Sequence, residues 1–223
     1  MPKCELGHLS KSVEDYLKAI WLGAQNGPVA TRTIAATLGV SDASVSGMLV
    51  KLSELELVSY TRYHGATLTP AGERQALQIV RRHRLIETFL IKYLGFGWDE
   101  VHSEAEALEH TVSDRFTERL AAQLGHPSHD PHGDPIPRPD GTLPETPDVS
   151  LADLSVGETL EVARLKTQEA DVLAYLAELN IQPGGVLRVT RQEPLGSLVQ
   201  VEIEGVSVPL SKALATLIRG RHL

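Results

Sequence analysis

The chain of 223 residues is poor in cysteine and in aromatic residues, and it has no long apolar run. Its single cysteine, Cys4, excludes an intramolecular disulfide framework and a thiolate cluster within one chain. Aromatic residues make up 4% of the sequence, so its hydrophobic cores must be mainly aliphatic. No apolar segment approaches the roughly 18–20 residues that cross a bilayer, and residues 1–10 lack a signal-peptide pattern. These absences predict a protein of the reducing cytoplasm that has no membrane partner.

Positive charge is also scarce, and it is unevenly distributed. The net charge is −8, which argues against indiscriminate binding to nucleic acid. Residues 1–84 carry a net charge of +3, whereas the remaining residues carry −11. This asymmetry is compatible with an N-terminal part that faces DNA and an acidic remainder, although a charge of +3 can also arise by chance.

The N-terminal part has the periodicity of short amphipathic helices. Ser12 is predicted to open a first helix that ends before residues 26–28, and its apolar stripe consists of Val13, Tyr16, Leu17, Ile20 and Trp21. Thr31 is the predicted cap of a second helix, and Ser41 is the predicted cap of a third. Two short helices on either side of a turn at Gly39 are typical of a helix-turn-helix.

A hairpin and a set of longer helices are predicted next. Two strand-like segments at residues 57–62 and 66–69, joined at His64-Gly65, predict the wing of a winged helix. Thr69-Pro70 has the pattern of a helix start, and Gly95 has that of its end. Two further helices are predicted at residues 99–111 and 113–124.

The composition changes again after residue 125. Residues 126–147 hold seven of the thirteen prolines, which predicts a linker without regular structure. Beyond it, short strands are predicted at residues 160–165, 186–190 and 198–203, with one helix at residues 167–179. Short strands around a single helix indicate a small β-barrel.

The helix that Ser41 caps is predicted to lie in the major groove of DNA. Its first residues are small, so backbone amides and hydroxyls can approach phosphates and base edges closely. The predicted DNA-contacting residues of this helix and the wing are Ser41, Ala43, Ser44, Ser46, Gly47, Lys51 and Arg62. The alternative for Ser41 and Ser44 is a purely capping role. No Arg, Gln or Asn lies on the exposed N-terminal face, which predicts sparse base readout and more readout of DNA shape.

The helix predicted at residues 99–111 has a polar stripe in which every side chain can ligate a metal. It consists of His102, Glu106, Glu109 and His110, at positions i, i+4, i+7 and i+8. No Lys or Arg occurs between Lys92 and Arg115, although carboxylates at this spacing repel one another unless they are neutralised. A bound cation explains this pattern. The alternative is a plain acidic surface in which Glu106 pairs with His110.

Other candidate ligands are weaker on local evidence. His83 and Glu87 have i, i+4 spacing, but a surface ion pair flanked by arginines explains them as well. Asp15 follows Ser12 at close to capping-box spacing, and the local sequence favours that structural role. Three histidines of the Pro-rich segment are also potential ligands, although the loop gives them no fixed spacing: His126, His129 and His132.

In order, the segments SVEDYLKAIW, RRHRLIETFL, HSEAEALEH and HGDPIP resemble the iron- and manganese-dependent regulators related to diphtheria toxin repressor and the manganese transport regulator. The resemblance extends over essentially the whole chain. It implies a primary metal site formed by Asp15, Glu106, Glu109 and His110. It also implies an ancillary site formed by His83, Glu87 and His102 and completed by Glu169. Val172 stands where a second polar ligand is expected there, so Asp171 or water is the implied substitute.

The resemblance also implies the metal. Asp15 and Glu106 stand where the iron branch has Met and Cys, and replacing sulfur by carboxylate favours Mn²⁺, with Fe²⁺ as the alternative. Two departures from the family pattern limit what is carried over. Lys18 stands where the short manganese regulators have Glu, which puts their binuclear arrangement in doubt. Gly47 stands where some relatives have Gln, so the operator sequence does not carry over.

The predicted fold is mainly α with small β parts. Its segments are a winged helix-turn-helix at residues 1–74, a helical metal-binding and dimerisation domain at 75–125, a Pro-rich linker at 126–150, and an SH3-like, FeoA-type small β-barrel at 151–223. The predicted function is Mn²⁺-dependent regulation of transcription, with repression expected, by a homodimer that binds palindromic operator DNA and has no small-molecule substrate. The alternatives are an Fe²⁺-responsive regulator or an activator, a helical di-metal oxidoreductase, or a metal buffer.

Overall fold

The structure, a computed structural model, describes residues 9–24, 27–98, 100–193 and 197–223. The chain folds into two compact units. The first consists of residues 1–82 and 139–141, and the second of residues 83–138 and 142–223. The division falls inside one long helix, between Arg82 and His83. The bounds of the four predicted segments stay predictions.

The first unit contains three helices and a hairpin, followed by the start of a fourth helix. These elements are α1 (Lys11–Gly23), α2 (Thr31–Leu38), α3 (Asp42–Glu54), β1 (Val58–Thr61), β2 (Gly65–Leu68) and α4 (Pro70–Phe89). β1 and β2 pair antiparallel, with Thr61 opposite Gly65. Their core is aliphatic, as the composition predicts, with Leu17, Leu49 and Leu52 fully buried. The predicted winged helix-turn-helix is therefore confirmed.

Two predicted helix starts have the expected cap chemistry. The Ser41 hydroxyl accepts the Ser44 N–H (3.2 Å), after Gly39 has turned the chain with a left-handed φ of 64°. The Thr69 hydroxyl accepts the Gly72 N–H (3.1 Å) and donates to the Glu56 carbonyl (2.7 Å). These caps fix the starts of α3, which carries most of the predicted DNA-contacting residues, and of α4, which carries two of the predicted ligands.

Two other predicted caps are wrong. α1 begins at Lys11 after Ser10, so Ser12 lies inside the helix and cannot form a capping box with Asp15. α2 begins at Thr31 itself, after an extended Ala30 that offers no side-chain cap. One cap contributes only about 1 kcal/mol, whereas packing of the apolar face sets where a short helix begins. The correction removes the structural explanation that the sequence suggested for Asp15.

In the second unit, α4 passes into a π-helical turn (Leu90–Leu94), which Gly95 ends with a φ of 73°. Two shorter helices follow, α5 (Val101–Leu108) and α6 (Asp114–Gln123). Their apolar faces form a second core, in which Leu85, Val101 and Ala105 are fully buried. Packing of α5 against the last turns of α4 brings together the two helices that carry the predicted ligands.

Residues 126–148 contain no helix or strand, as their prolines predict. They are nevertheless packed into the protein. His132 is 0% exposed, Asp134 is 1% exposed, and Ile136 contributes to the second core. A solvated linker would leave these side chains in water, so residues 130–136 have a structural role that the composition did not reveal.

The C-terminal part of the second unit is a six-stranded antiparallel sheet with two helices. Its elements are β3 (Val149–Ser150), β4 (Thr159–Leu165), α7 (Ala170–Glu178), β5 (Val186–Gln192), β6 (Leu198–Ile203), β7 (Val206–Ser211), α8 (Lys212–Leu217) and β8 (Ile218–His222). The strand order is β3-β8-β4-β5-β6-β7. Leu160, Leu173 and Val201 belong to its separate aliphatic core. The predicted class, mainly α with a small C-terminal β domain, is confirmed.

The sequence analysis missed β7, α8 and β8. Pro209 interrupts the pattern of β7, but β7 lies at the end of the strand order, where a proline needs no ladder partner on its outer side. β8 contains Gly220, which packs so close to Glu161 that a Cβ there would lie 2.0 Å from the Glu161 carbonyl oxygen. Neither residue type is typical of a strand interior, so local propensity did not indicate these strands.

Among the described residues, no single helix has the length and hydropathy of a membrane span, although α2 and α3 together, bent by 109°, reach that length and composition.

Candidate metal centre

Two neighbouring helices of the second unit carry most of the predicted ligands. α4 presents His83 and Glu87, one helical turn apart, with exposures of 5% and 1%. α5 presents His102 and Glu106, and Glu109 lies just after its last helical residue. On local evidence His83 and Glu87 could equally be a surface ion pair, whereas the structure buries both.

The first group of donors consists of His83, Glu87 and His102. The His83 Nε2 atom lies 2.9 Å from Glu87 Oε1 and 3.1 Å from His102 Nδ1. The His102 Nδ1 atom lies 3.2 Å from the same Glu87 oxygen. One oxygen and two imidazole nitrogens therefore converge within reach of a single cation, as the resemblance implied for the ancillary site.

The second group lies on the other side of the His83 ring. Its Nδ1 atom is 2.7 Å from Glu109 Oε2, and the other Glu109 oxygen is 3.2 Å from His110 Nε2. Glu109 is completely buried, whereas the Glu106 side chain is 50% exposed. His83, Glu106 and Glu109 each offer an atom within 4.8 Å of the others. His83 thus faces both groups.

The ring of His83 has a carboxylate at each nitrogen. Only the doubly protonated imidazolium donates to both at once, so it satisfies both carboxylates without a metal. A metal on either side would take one of these nitrogens as a ligand, because metal ligation requires a deprotonated nitrogen. His83 could therefore serve either of the two neighbouring groups.

A third group was missed by the sequence analysis. Glu87, Asp130 and His132 offer ligand atoms within 4.8 Å of one another, and all three side chains are buried. Both ring nitrogens of His132 and the Oδ2 atom of Asp130 have no hydrogen-bond partner among the described residues. Buried polar atoms are normally satisfied, and a bound ion is one accepted reason for an exception. The available signal was the spacing Asp130-x-His132 at the start of the HGDPIP segment, but the surrounding prolines are typical of a linker without regular structure.

The loop itself holds these two ligands in place. The Asp130 Oδ1 atom accepts the N–H groups of His132 and Asp134, both at 2.9 Å, which closes the turn that carries both candidate ligands. The Trp98 ring packs edge-on against His132, with 4.9 Å between ring centroids. Trp98 thereby covers part of the group with an apolar surface.

The electrostatics of this group favour a cation. Burial raises the pKa of Asp130 well above its usual range, and the carboxylates of Asp134 and Glu87 raise it further. Burial lowers the pKa of His132, which keeps the imidazole in the neutral form that ligates metals. Burial also acts to raise the pKa of Glu87, but His83 and His102 outweigh it and hold that pKa far below its usual range. A divalent ion would offset the repulsion between Glu87 and Asp130.

The donor set fits a borderline or hard divalent metal. It combines carboxylate oxygens with imidazole nitrogens, and no thiolate lies among the described residues. Such a set suits Mn²⁺, Fe²⁺ and Zn²⁺ better than thiophilic ions. His83, Glu87, Glu109, Asp130 and His132 are buried, which distinguishes the cluster from a solvated acidic surface.

The remaining predicted ligands are placed as follows. Asp15 lies in α1 and is half-buried, next to Glu14, which forms a buried ion pair with Arg82 (3.3 Å). Glu169 and Asp171 are exposed, at the N-cap position and in the first turn of α7. The ligand roles of these three residues, like those of the other predicted ligands, stay predictions.

The predicted DNA-contacting residues lie at the start of α3 and on the wing. Ser41, Ala43, Ser44, Gly47, Lys51 and Arg62 are exposed, and Ser46 is half-buried. The Ser46 hydroxyl donates to the Asp42 carbonyl (2.9 Å), whereas the Ser41 and Ser44 hydroxyls lie 2.9 Å apart. The wing tip presents Arg62 over the ring of Tyr63, at 5.0 Å from its centroid. The surface is open to a ligand, and each DNA contact stays a prediction.

Comparison with known proteins gives matches along nearly the whole chain. Residues 8–66 match the iron dependent repressor N-terminal DNA binding domain, residues 69–138 match the iron dependent repressor metal binding and dimerisation domain, and residues 149–222 match the FeoA domain.

Similar proteins include both short and long regulators. An uncharacterised helix-turn-helix-type transcriptional regulator of Methanocaldococcus jannaschii is 39% identical over 114 residues, which cover 50% of this chain and 91% of the relative. The iron-dependent repressor IdeR of Mycobacterium leprae is 28% identical over 229 residues, covering 96% of this chain and 99% of the relative.

A solved structure of a manganese-dependent transcriptional repressor in complex with manganese is 42% identical. The match covers 95% of this chain and 100% of the solved chain, with a TM-score of 0.88. Together with the buried carboxylate–imidazole cluster, these matches assign the fold and the class of protein. The chain belongs to the diphtheria toxin repressor and manganese transport regulator family of metal-dependent transcriptional regulators.

Proposed function

We propose that this chain is a Mn²⁺-dependent repressor of metal-homeostasis genes. The observation that carries the proposal is the buried cluster of carboxylates and imidazoles around His83, which offers hard and borderline donors and no sulfur among the described residues. The similarity to a manganese-dependent repressor supports the choice of Mn²⁺. The alternative metal is Fe²⁺, which the more distant similarity to an iron-dependent repressor supports.

Two metal centres are proposed. The primary centre consists of Asp15, Glu106, Glu109 and His110. The second centre is built around Glu87 and draws on His83, His102, Asp130 and His132. Glu169 and Asp171 remain proposed ligands of the second centre from the resemblance alone. At both centres the ion would supply a positive charge that offsets clustered carboxylates.

The proposed output is binding to palindromic operator DNA by a homodimer. A metal held by both α1 and the segment after α5 would fix the orientation of the helix-turn-helix, so that two recognition helices match successive major grooves. Tyr93, Leu94 and Phe116 support dimerisation because they are large apolar side chains that are 47%, 58% and 49% exposed. As a regulator of transcription, the protein is proposed to act in the cytoplasm and to have no catalytic role.

Operator binding with and without Mn²⁺ tests this proposal. We expect Mn²⁺ to tighten operator binding by about 5–150-fold, and operator DNA to tighten Mn²⁺ binding by the same factor, because linkage is reciprocal. Asp15→Ala should abolish most of this gain, whereas Glu104→Gln on the exposed face of α5 should retain it. Fluorescence anisotropy of labelled DNA measures both. An operator affinity that neither Mn²⁺ nor Asp15→Ala changes would refute the proposal.

The choice between Mn²⁺ and Fe²⁺ requires a separate measurement. Anaerobic titration of operator binding with each metal gives the concentration of free ion that activates the protein. For each protein we compare the ratio of the activating Mn²⁺ concentration to the activating Fe²⁺ concentration. We expect this ratio to be lower in the parent protein than in Glu106→Cys, a variant that restores sulfur. A Glu106→Cys variant with an unchanged metal preference would contradict the assignment of the primary centre to this residue.

A further inference from the structure

The loop at residues 130–136 carries two proposed ligands of the second metal centre, and it is attached to strand β4 of the C-terminal β domain. We propose that the β domain is a positioning element of this centre, because β4 holds the loop in the conformation in which Asp130 and His132 face Glu87. The inference rests on the proposed metal-binding function. It assigns the β domain a role in metal affinity that acts through Asp130 and His132.

The backbone of the loop is bonded directly to β4. The carbonyl oxygen of His132 accepts the N–H of Leu165, the last residue of β4, at 2.8 Å. The next residue, Gly133, has a φ of +87°, and a Cβ on it would lie 1.9 Å from the Ala163 carbonyl oxygen and 2.7 Å from Arg164 Cα. Main chain therefore packs against main chain at the position adjacent to a ligand, and only glycine fits there.

A buried network of charges makes the second attachment. Asp134 is 1% exposed, forms an ion pair with Arg164 of β4, and accepts a hydrogen bond from Gln168 Nε2 at 2.9 Å. Arg84 of α4 lies 3.6 Å from Asp134 and 3.7 Å from Asp130. The two carboxylates are thus matched by two guanidinium groups, one from α4 and one from β4. Asp134 joins the helix that carries Glu87 to the strand that supports the loop.

These attachments determine where the ligand atoms lie. The Asp130 Oδ2 atom and both His132 nitrogens have no hydrogen-bond partner among the described residues, and the side-chain contacts of these two residues are the Arg84 ion pair at 3.7 Å and the packing of Trp98. The hydrogen bonds that hold the loop are made by its backbone, through the Asp130 turn and the bond from Leu165. Metal ligands must reach their ideal distances within about 0.2 Å, so a small shift of the loop should lower affinity.

Gly133→Ala is the most direct test, because the added methyl group must push the loop away from β4. Gly125→Ala is the matched control: Gly125 has a similar φ of +79°, but a Cβ there meets no atom within 4 Å. Full-length protein is titrated with MnCl₂, and free Mn²⁺ is counted by electron paramagnetic resonance. In a Trp21→Phe background, Trp98 is the remaining tryptophan and reports on the second centre through paramagnetic quenching, since it packs on His132.

We expect Gly133→Ala to weaken Mn²⁺ binding at the second centre by about 10–100-fold, which is the usual effect of losing groups that orient metal ligands. The Mn²⁺ ion that binds elsewhere and does not quench Trp98 should bind with unchanged affinity. Gly125→Ala should bind Mn²⁺ as the parent protein does. Arg164→Gln should have the same effect through the side-chain attachment, and Arg164→Lys should recover part of it by restoring the charge beside Asp134. Circular dichroism establishes whether each variant is folded. If Gly133→Ala does not fold, the two Arg164 variants test the inference.

Two results would overturn the inference in distinguishable ways. If Gly133→Ala and Arg164→Gln are folded and quench Trp98 at the same Mn²⁺ concentration as the parent, the β domain does not position the ligands, and the second centre stands. If the parent protein binds one Mn²⁺ per protomer and Glu87→Gln leaves that binding unchanged, the second centre itself is wrong, and the inference falls with it.

Discussion

The helix-turn-helix and the metal-binding region differ in what they bury. Over residues 27–69 the buried positions are apolar or glycine, and charged side chains face outward. Between residues 81 and 134 the buried positions include Arg81, Arg82, His83, Arg84, Glu87, Glu109, Asp130, His132 and Asp134. The first region is stabilised by burial that any aliphatic core provides. The second depends on matching each buried charge with a partner or an ion, and so its stability should respond to metal.

The largest expected effect is on the metal-binding region. His83→Leu removes the partner of two buried carboxylates and should lower the free energy of unfolding by about 3–5 kcal/mol in the presence of a chelator. Addition of Mn²⁺ should increase the difference in free energy of unfolding between the parent protein and the variant, because the variant lacks a ligand and gains less stability from the ion. Urea unfolding with and without Mn²⁺ measures both values. A gap that Mn²⁺ leaves unchanged would place His83 outside the metal centres.

A cavity in the helix-turn-helix should behave differently. Leu49→Ala deletes a fully buried side chain of α3 and should lower the free energy of unfolding of the first unit by about 3 kcal/mol. The Leu49 side chain contributes no ligand, so the loss should be the same with and without Mn²⁺. The same urea experiment provides the measurement. A loss that depends on Mn²⁺ would show that the two regions are less independent than their burial indicates.

The cap of the recognition helix should have a smaller effect. Ser41→Ala removes the hydroxyl that accepts the Ser44 N–H, which should lower stability by about 1 kcal/mol. Ser46→Ala is the control, because its hydroxyl donates to a carbonyl within the helix and its loss should cost less than about 0.5 kcal/mol. Thermal unfolding compares the two. Equal losses would mean that Ser41 is not a stabilising cap. Its predicted contact with DNA would then be the remaining explanation for a serine at this position.

The smallest effect on stability is expected at Lys51. Its side chain is exposed, so Lys51→Ala should change the free energy of unfolding by less than about 0.5 kcal/mol. If Lys51 contacts a phosphate, the variant should weaken operator binding about equally for all sequences, and should reduce the slope of log affinity against log salt by about 1. Anisotropy titrations at several salt concentrations measure this slope. An unchanged slope would remove Lys51 from the predicted DNA interface.

The sequence was informative wherever a feature lies within one regular element. His102, Glu106, Glu109 and His110 were recognisable as candidates from helical spacing, although α5 ends at Leu108 and the last two lie just beyond it. The structure buries Glu109 beside His83, 26 positions earlier in the chain, which no local pattern could indicate. Helix starts were less certain: Ser12 and Thr31 are good caps by type, but packing moved both starts to earlier residues.

The third donor group shows the limit most clearly. Asp130 and His132 stand in a Pro-rich segment, where composition predicts a linker, and their proposed partner Glu87 lies 43 positions earlier. Only the packing of the loop against β4 and α4 buries these side chains. β7 and β8 were missed for a related reason, since Pro209 and Gly220 have unfavourable strand propensities that their places in the sheet accommodate.

By itself the sequence determined the helices of the winged helix-turn-helix, the hairpin wing and, through the resemblance, the class of protein. These follow from short-range periodicity and turn chemistry, which act between residues a few positions apart. The tertiary structure alone decided which charged residues are buried, how His83 faces two carboxylates, and why a proline-rich segment carries ordered donors. Burial of a charge depends on desolvation and on partners from distant parts of the chain, and these contacts exist only once the chain has folded.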